Sequence, residues 1–204
     1  MKKYLIRIKT LSDTMMGSGE SVPGVIDSDI RYDRYGLPYM SAKTFKGLLH
    51  EQMDMLKYFD SEFTNLSVED LTGSNIGDGE TGGRLRFTNV TLSSGLREAI
   101  RRDINAHKVT RNEILNALTI TYSYTRIDEK TGTAKDHSLR TERMIRRGTE
   151  FISELFLDDF GLSEDDRKQY DSFIRKSVMA LQHIGTHKSK GKGVVSCRAE
   201  EVRG

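Results

Sequence analysis

Two helical stripes, each opened by a serine and each set between stretches of alternating apolar residues, constrain this chain most. From Ser41, residues Phe45, Leu48, Leu49, Met53 and Leu56 recur at the spacing of one helix face. From Ser163 to His183, Tyr170, Phe173, Ile174, Val178 and Leu181 do the same. Glu164, Asp165 and Asp166 sit at the positive end of that helix dipole, and Gly185 reads as its stop. Alternation predicts strands over 3–11 (Ile6 and Ile8 on one side), over 84–92 with a bulge near Asn89, over 150–157 and over 194–202. A helix between two strands, twice over, predicts an α+β fold: a ferredoxin-like core with inserted loops, one domain spanning residues 1–204. Two helices then cover one face of the sheet and leave the other free. Gly47 inside the first helix costs about 1 kcal/mol relative to alanine, so either another backbone passes close by or the defect is tolerated.

The insertions carry most of the polarity. Residues 12–40 have no helical period and suggest a long loop with a hairpin around "YDRYGLPY"; loops of this length are often functional. A second glycine-rich loop covers 72–83, and a short helix over 95–107 carries Leu96, Ile100 and Ile104 on one face. "TRNE" at 110–113 is a capping-box pattern. Residues 120–147 read as an extended basic arm that turns at Asp128–Gly132.

Net charge is only +2, so bulk charge announces no polyanion partner; its distribution says more. Segment 126–147 holds seven Lys/Arg against four acids, whereas "DDFGLSEDD" at 158–166 holds five acids. Cys197 is the single cysteine and excludes an intrachain disulfide. No apolar run is long enough to span a bilayer, and Arg7 and Lys9 interrupt any leader-like segment. A soluble, cytoplasmic protein with no membrane partner is expected.

The chemistry concentrates in "QHIGTHKSKGKGVV", 182–195. Gly185, Gly191 and Gly193 alternate with Lys188, Lys190 and Lys192, beside His187, without an acid. The spacing and the helix-to-strand context both exclude a nucleotide-binding P-loop. Two readings stay open: a backbone cradle for a phosphate chain, in which glycines admit close approach and lysines add charge, or an ordinary solvated loop.

Three blocks taken together carry a family resemblance: "PGVIDSDIRYDRYGLPYMSAKTFKGLLHE" at 23–51, "GDGETGGRLRFTNV" at 77–90 with "YTRIDEKTGTAKDHSLRTERMIRRGTEFISEL" at 124–155, and "GTHKSKGKGVV". The chain resembles the RAMP superfamily of CRISPR-associated proteins, and most of all the backbone subunits of type III effector complexes. The resemblance implies an RRM-like core with a protruding β-hairpin thumb, roughly 120–147. It implies guide (crRNA) and target RNA as partners, together with other CRISPR effector subunits. Gly185, His187, Lys188, Lys190, Gly191, Lys192 and Gly193 would then meet the guide backbone. Ser41, Lys43 and Lys46 would meet guide phosphates at a positive helix end, which the dipole favours independently. Arg126, Arg140 and Arg143 would contact RNA from the thumb.

The same resemblance implies a target-cutting aspartate at Asp27, working with Mg²⁺ or another divalent metal; one carboxylate plus RNA oxygens suffices for such an ion. Asp29, two residues on, is a possible assistant, and Asp33 reads as a turn residue. The alternatives are a non-catalytic RNA-binding subunit, or a metal-free guide-processing endonuclease using one of His50, His107, His137, His183 or His187.

Overall fold

A computed structural model describes residues 1–19, 21, 24–73, 82–135 and 138–202. Strand β1 (Lys2–Thr10) leads through a long loop to helix α1 (Ala42–Phe59), a 3₁₀ turn (Ser61–Phe63) and short helix α2 (Val68–Thr72). Next come β2 (Leu85–Phe87), α3 (Ser94–Asn105), α4 (Arg111–Leu118), β3 (Thr119–Tyr124), β4 (Arg140–Ile145) and β5 (Glu150–Leu157). Helix α5 (Glu164–Ala180), a second 3₁₀ turn (Lys188–Lys190) and β6 (Val195–Val202) close the fold. Most of the glycine-rich loop expected at 72–83, and His137, lie outside the described residues.

The main sheet has strand order β2-β5-β1-β6 with every neighbouring pair antiparallel. Two interleaved β-α-β crossovers, β1-α1-β2 and β5-α5-β6, produce this order, consistent with the ferredoxin-like core expected. Alternation on β1 sends Tyr4, Ile6 and Ile8 inward, all fully buried, against Phe45, Leu49 and Met53 of α1 and Phe173, Ile174 and Val178 of α5. Each such side chain stabilises the fold by about 2 kcal/mol on burial. The opposite sheet face stays open, but its charges pair across strands: Lys3–Glu154 at 2.7 Å, Arg7–Glu200 at 3.2 Å and Lys9–Glu150 at 3.1 Å.

Two boundaries differ from expectation. The strand expected over 84–92 ends at Phe87, because the chain changes partners at the expected bulge: Asn89 turns its Oδ1 to the Ala42 N–H (2.8 Å), Val90 pairs with Met40 and Thr91 with Ile152. Helix α5 stops at Ala180 rather than reaching His183. Residues 182–184 exchange helical hydrogen bonds for sheet-like ones, with Val195 N–H donating to Gln182 O (2.8 Å) and Ile184 N–H to Gly193 O (2.9 Å). Gly185 therefore does not cap the helix. It packs against another chain segment, at φ +76°, where an added Cβ would lie 2.1 Å from Met15 O.

Strands β3 and β4 form a separate two-stranded sheet, the expected thumb, whose turn closes where Gly132 N–H donates to Asp128 O. The long loop after β1 is organised around the base of that thumb. Thr14 bridges Ile145, Ser28 bridges Glu142, and Tyr32 bridges Pro38 in the expected hairpin. Asp33 is the turn residue, its Oδ1 accepting from Tyr35 N–H (2.9 Å) and Leu37 N–H (3.1 Å). Among the described residues no helix is long and apolar enough to cross a membrane.

Candidate nucleic-acid interface

The glycine–lysine loop is built by its own backbone. His187 is held in the left-handed region (φ 63°), the 3₁₀ turn follows, and Gly191 closes it at φ 69°. Gly193 lies so near the 182–184 segment that a Cβ would meet Ile184 O at 2.2 Å. The N–H groups of Thr186, Lys190, Gly191, Lys192 and Gly193 are all taken within the protein. The cradle of free amides expected from the glycines is thus partly closed. The glycines serve close packing and left-handed turns, and the N–H groups of His187, Lys188 and Ser189, at the start of the 3₁₀ turn, stay without an acceptor among the described residues.

Those side chains divide into two groups. Lys192 and His187 turn inward, toward the thumb. The Lys192 ammonium sits 4.0 Å from the Tyr122 ring centroid and 3.5 Å from Asp13 Oδ2. Asp13 also accepts from the Tyr122 hydroxyl and from Arg147 N–H. Burial works against both charges, but the Tyr122 hydroxyl and their mutual attraction outweigh it. Lys192 consequently titrates above the ordinary lysine range and Asp13 below the ordinary aspartate range. His187 Nε2 lies 3.1 Å from Glu142 Oε2, a buried oxygen that accepts no hydrogen bond among the described residues. Lys188 and Lys190 stay exposed, with no acid partner among the described residues; Lys190 hovers 5.3 Å from the Tyr124 ring centroid.

A polar cavity of about 490 Å³ lies between loop and thumb, lined by Arg126, Lys135, Arg140, Glu142, His187 and Lys190 among others. Four of the residues expected to touch RNA (Arg126, Arg140, His187 and Lys190) converge here. Directly opposite residues of a hairpin share a face, so Tyr122, Tyr124, Glu142 and Arg140 all look toward the loop. Arg143 falls on the other face. Its expected role on RNA gives way to an internal one: it grips Asp29 with Nη1 at 3.2 Å from Oδ1 and 2.9 Å from Oδ2, and both side chains are largely buried.

A neighbouring cavity of about 420 Å³ joins the loop to the start of α1, lined by Ser41, Thr44, Leu48, Tyr39, Gly185 and Thr186 among others. Ser41 caps the helix, accepting from Thr44 N–H at 3.2 Å. Asn89 takes Ala42 N–H and Ser41 O takes Phe45 N–H, so Lys43 N–H alone remains open in the first turn. Lys43 and Lys46 project from this turn without an acid partner among the described residues.

Asp27 is exposed at the thumb base. Its N–H donates to Thr141 O (2.8 Å) and its Oδ2 accepts from Thr141 N–H (2.6 Å), leaving Oδ1 open. Asp29 does not assist it: that carboxylate is 4% exposed, locked to Arg143 and accepting from Ile30 N–H. Among the described residues no three His, Cys, Asp or Glu side chains converge on a metal position. At Asp27 the described residues offer one open carboxylate oxygen, Oδ1. The described histidines are scattered. His50 bonds Thr72 (2.7 Å) behind α1, His107 ends α3 in the left-handed region, His183 sits on a bridge to Val194, and His187 faces Glu142. Sequence reasoning missed Asp13, Tyr122, Tyr124 and Glu142; the alternating "TYSY" was the available signal for the tyrosines.

Similar proteins agree with this architecture. The fold is similar to a chain in the cryo-EM structure of the type III-B Cmr-beta bound to cognate target RNA. The TM-score is 0.70 at 15% identity, covering 97% of this chain and 96% of that one. It is also similar to a chain of a type IV-B CRISPR complex, with TM-score 0.64, 13% identity, and coverage of 99% and 92%. A third similarity is to the crystal structure of oligomeric Cmr4 from Pyrococcus furiosus, with TM-score 0.58, 14% identity, and full coverage (100%) of both chains. No curated protein matches the sequence. The RAMP superfamily model matches residues 7–196, nearly the whole chain. The chain belongs to the RAMP superfamily.

Proposed function

We propose that this protein is an RNA-binding subunit of a type III-like CRISPR effector complex, holding guide RNA along α1, the glycine–lysine loop and the thumb. One observation carries the reading: how the cations are paired. On β1 and α5 most lysines and arginines are matched to acids, as in Lys2–Asp171, Arg175–Asp171 and Lys176–Glu62. Lys43, Lys46, Arg126, Lys135, Arg140, Lys188 and Lys190 have no ion-pair partner among the described residues; Arg126, Lys135, Arg140 and Lys190 line the cavity between loop and thumb, Lys188 shares the 3₁₀ turn of Lys190, and Lys43 and Lys46 belong to the start of α1. Unpaired cations lined up on one surface raise its potential and attract a polyanion. Most of these groups are flexible ammonium and guanidinium ends, so they grip phosphates and carry little sequence information. Purified with its partner subunits, the wild-type chain should retain short RNA, and Lys188→Ala/Lys190→Ala should release it at moderate salt. Retention at the wild-type level refutes the interface.

Within this reading Asp27 is the residue proposed for target cutting. The Thr141 amide fixes one carboxylate oxygen and leaves the other facing outward at the thumb base. Asp27→Asn keeps an acceptor for the Thr141 amide and removes only the charge. Lost cleavage with intact RNA retention supports the catalytic role. Undiminished cleavage assigns the chain to RNA binding alone. Cleavage that persists in EDTA would favour metal-free acid–base chemistry.

A further inference from the structure

The cavity between loop and thumb holds one group that gripping phosphates does not use. Arg126, Lys135, Arg140 and Lys190 give its walls positive charge, yet Glu142 stands among them, 9% exposed. None of the four cations pairs with it, and its buried Oε2 accepts no hydrogen bond among the described residues. His187, 3.1 Å away, offsets the charge only when its ring is protonated. The position is fixed from both sides of β4. Tyr122 lies directly opposite Glu142 on β3, and Ser28 bridges it from the long loop.

A bare carboxylate in a phosphate site is unfavourable twice over. Burial strips its water, and its charge repels the ligand. A ligand that carries strong hydrogen-bond donors beside its phosphate relieves both. Among the nucleobases guanine fits best, because its Watson–Crick edge sets N1–H and the N2 amino group side by side against an acceptor-only carboxylate. Adenine and cytosine each place one amino group beside an acceptor nitrogen. Uracil sets one N–H between two carbonyls. All three therefore turn an acceptor toward the carboxylate. Tyr124 lines the same cavity and offers an aromatic wall to an unstacked base.

We propose that this cavity is a base-selective site, in which the Glu142 carboxylate accepts from N1–H and the N2 amino group of one unstacked guanine, Tyr124 supports the ring, and the surrounding cations hold its phosphate. The inference rests on the RNA-binding reading and goes beyond it: phosphate contacts are indifferent to sequence, whereas this site reads a base.

The test measures binding of a fluorescently labelled uridylate pentamer, and of the same pentamer with guanosine or inosine at its centre, to the full chain. It is run at about pH 8, above the ordinary histidine range, and at about 0.1 M salt. Inosine keeps N1–H and lacks the N2 amino group, so it isolates one donor without altering the protein. The guanosine pentamer is expected to bind about tenfold more tightly than the uridylate, with inosine between them. Glu142→Gln removes the charge and replaces one acceptor oxygen with a donor. Guanosine affinity should fall, uridylate affinity should rise, and the preference should disappear. Equal wild-type affinity for all three pentamers overturns the base site; if Lys188→Ala/Lys190→Ala then weakens all three, the phosphate interface still stands. A preference undiminished in Glu142→Gln places base reading elsewhere and overturns the proposal. Binding of none of the pentamers overturns the base site together with the interface it rests on. If circular dichroism shows Glu142→Gln misfolded, the guanosine–inosine difference in the wild type decides.

Discussion

Lys192→Met distinguishes a lysine that holds the thumb from one that holds RNA. Methionine keeps most of the apolar stem and removes the ammonium, which lies 4.0 Å from the Tyr122 centroid and 3.5 Å from Asp13. A partly buried cation–π contact is worth about 0.5–2 kcal/mol, and an ion pair at 3.5 Å adds about 0.5 kcal/mol. Asp13 keeps the Tyr122 hydroxyl and Arg147 N–H, so no orphaned carboxylate adds to the cost. A destabilisation of about 1–2 kcal/mol is expected in urea unfolding at neutral pH. The pH dependence has a definite sign. The lowered pKa of Asp13 contributes stability above the ordinary aspartate range, and this is lost as pH falls through its folded value. The raised pKa of Lys192 contributes below the ordinary lysine range, and this is lost as pH rises through its folded value. The gap between wild type and variant should be widest from about pH 4 to about pH 10, narrow in acid and close in alkali. The RNA salt slope should not change, whereas Lys190→Met should lower it by about 0.7. A variant as stable as wild type whose slope falls by about 0.7 would refute the division of the loop into brace and contact.

Three further outcomes follow from the geometry. Asp29→Ala should cost about 3 kcal/mol in urea unfolding, because it strands the largely buried Arg143; a loss below about 0.5 kcal/mol would return Asp29 to the list of candidate metal ligands. Gly47→Ala should stabilise the isolated chain by about 1 kcal/mol, since an added Cβ meets nothing within 4 Å, and destabilisation would mean that the helix relies on glycine there. Burial pushes the Cys197 thiol up to about 12, so it should resist alkylation at about pH 8 until the protein unfolds, and rapid labelling of the folded chain would contradict its place in the core.

The sheet and its two packed helices were legible because each local signal agreed with the tertiary outcome. Ser41 and Ser163 cap their helices, and the stripes from Phe45 and Tyr170 are the buried faces. Boundaries failed where a side chain or a second segment competed. Asn89 caps α1 across a gap of 47 residues, and residues 182–184 leave helical geometry for a bridge that sequence periodicity does not register. Site residues were legible as types but not as partners. Lysines at 188, 190 and 192 look equivalent in the sequence, yet Tyr122 and Asp13 claim the last of them. Asp27 and Asp29 look like a pair on one extended edge, yet only Asp27 is exposed, because Arg143 reaches Asp29 from 114 residues away. Such long-range pairings leave no periodic trace.

The central claim is that unpaired lysines at the α1 start and on the glycine–lysine loop grip one RNA backbone. Its most direct test is the salt dependence of RNA affinity for Lys43→Ala/Lys46→Ala/Lys188→Ala/Lys190→Ala beside the wild type. The account predicts a slope shallower by about 2.8 and, at 0.1 M salt, binding weaker by about 600-fold. Superimposable lines for the two proteins would contradict it.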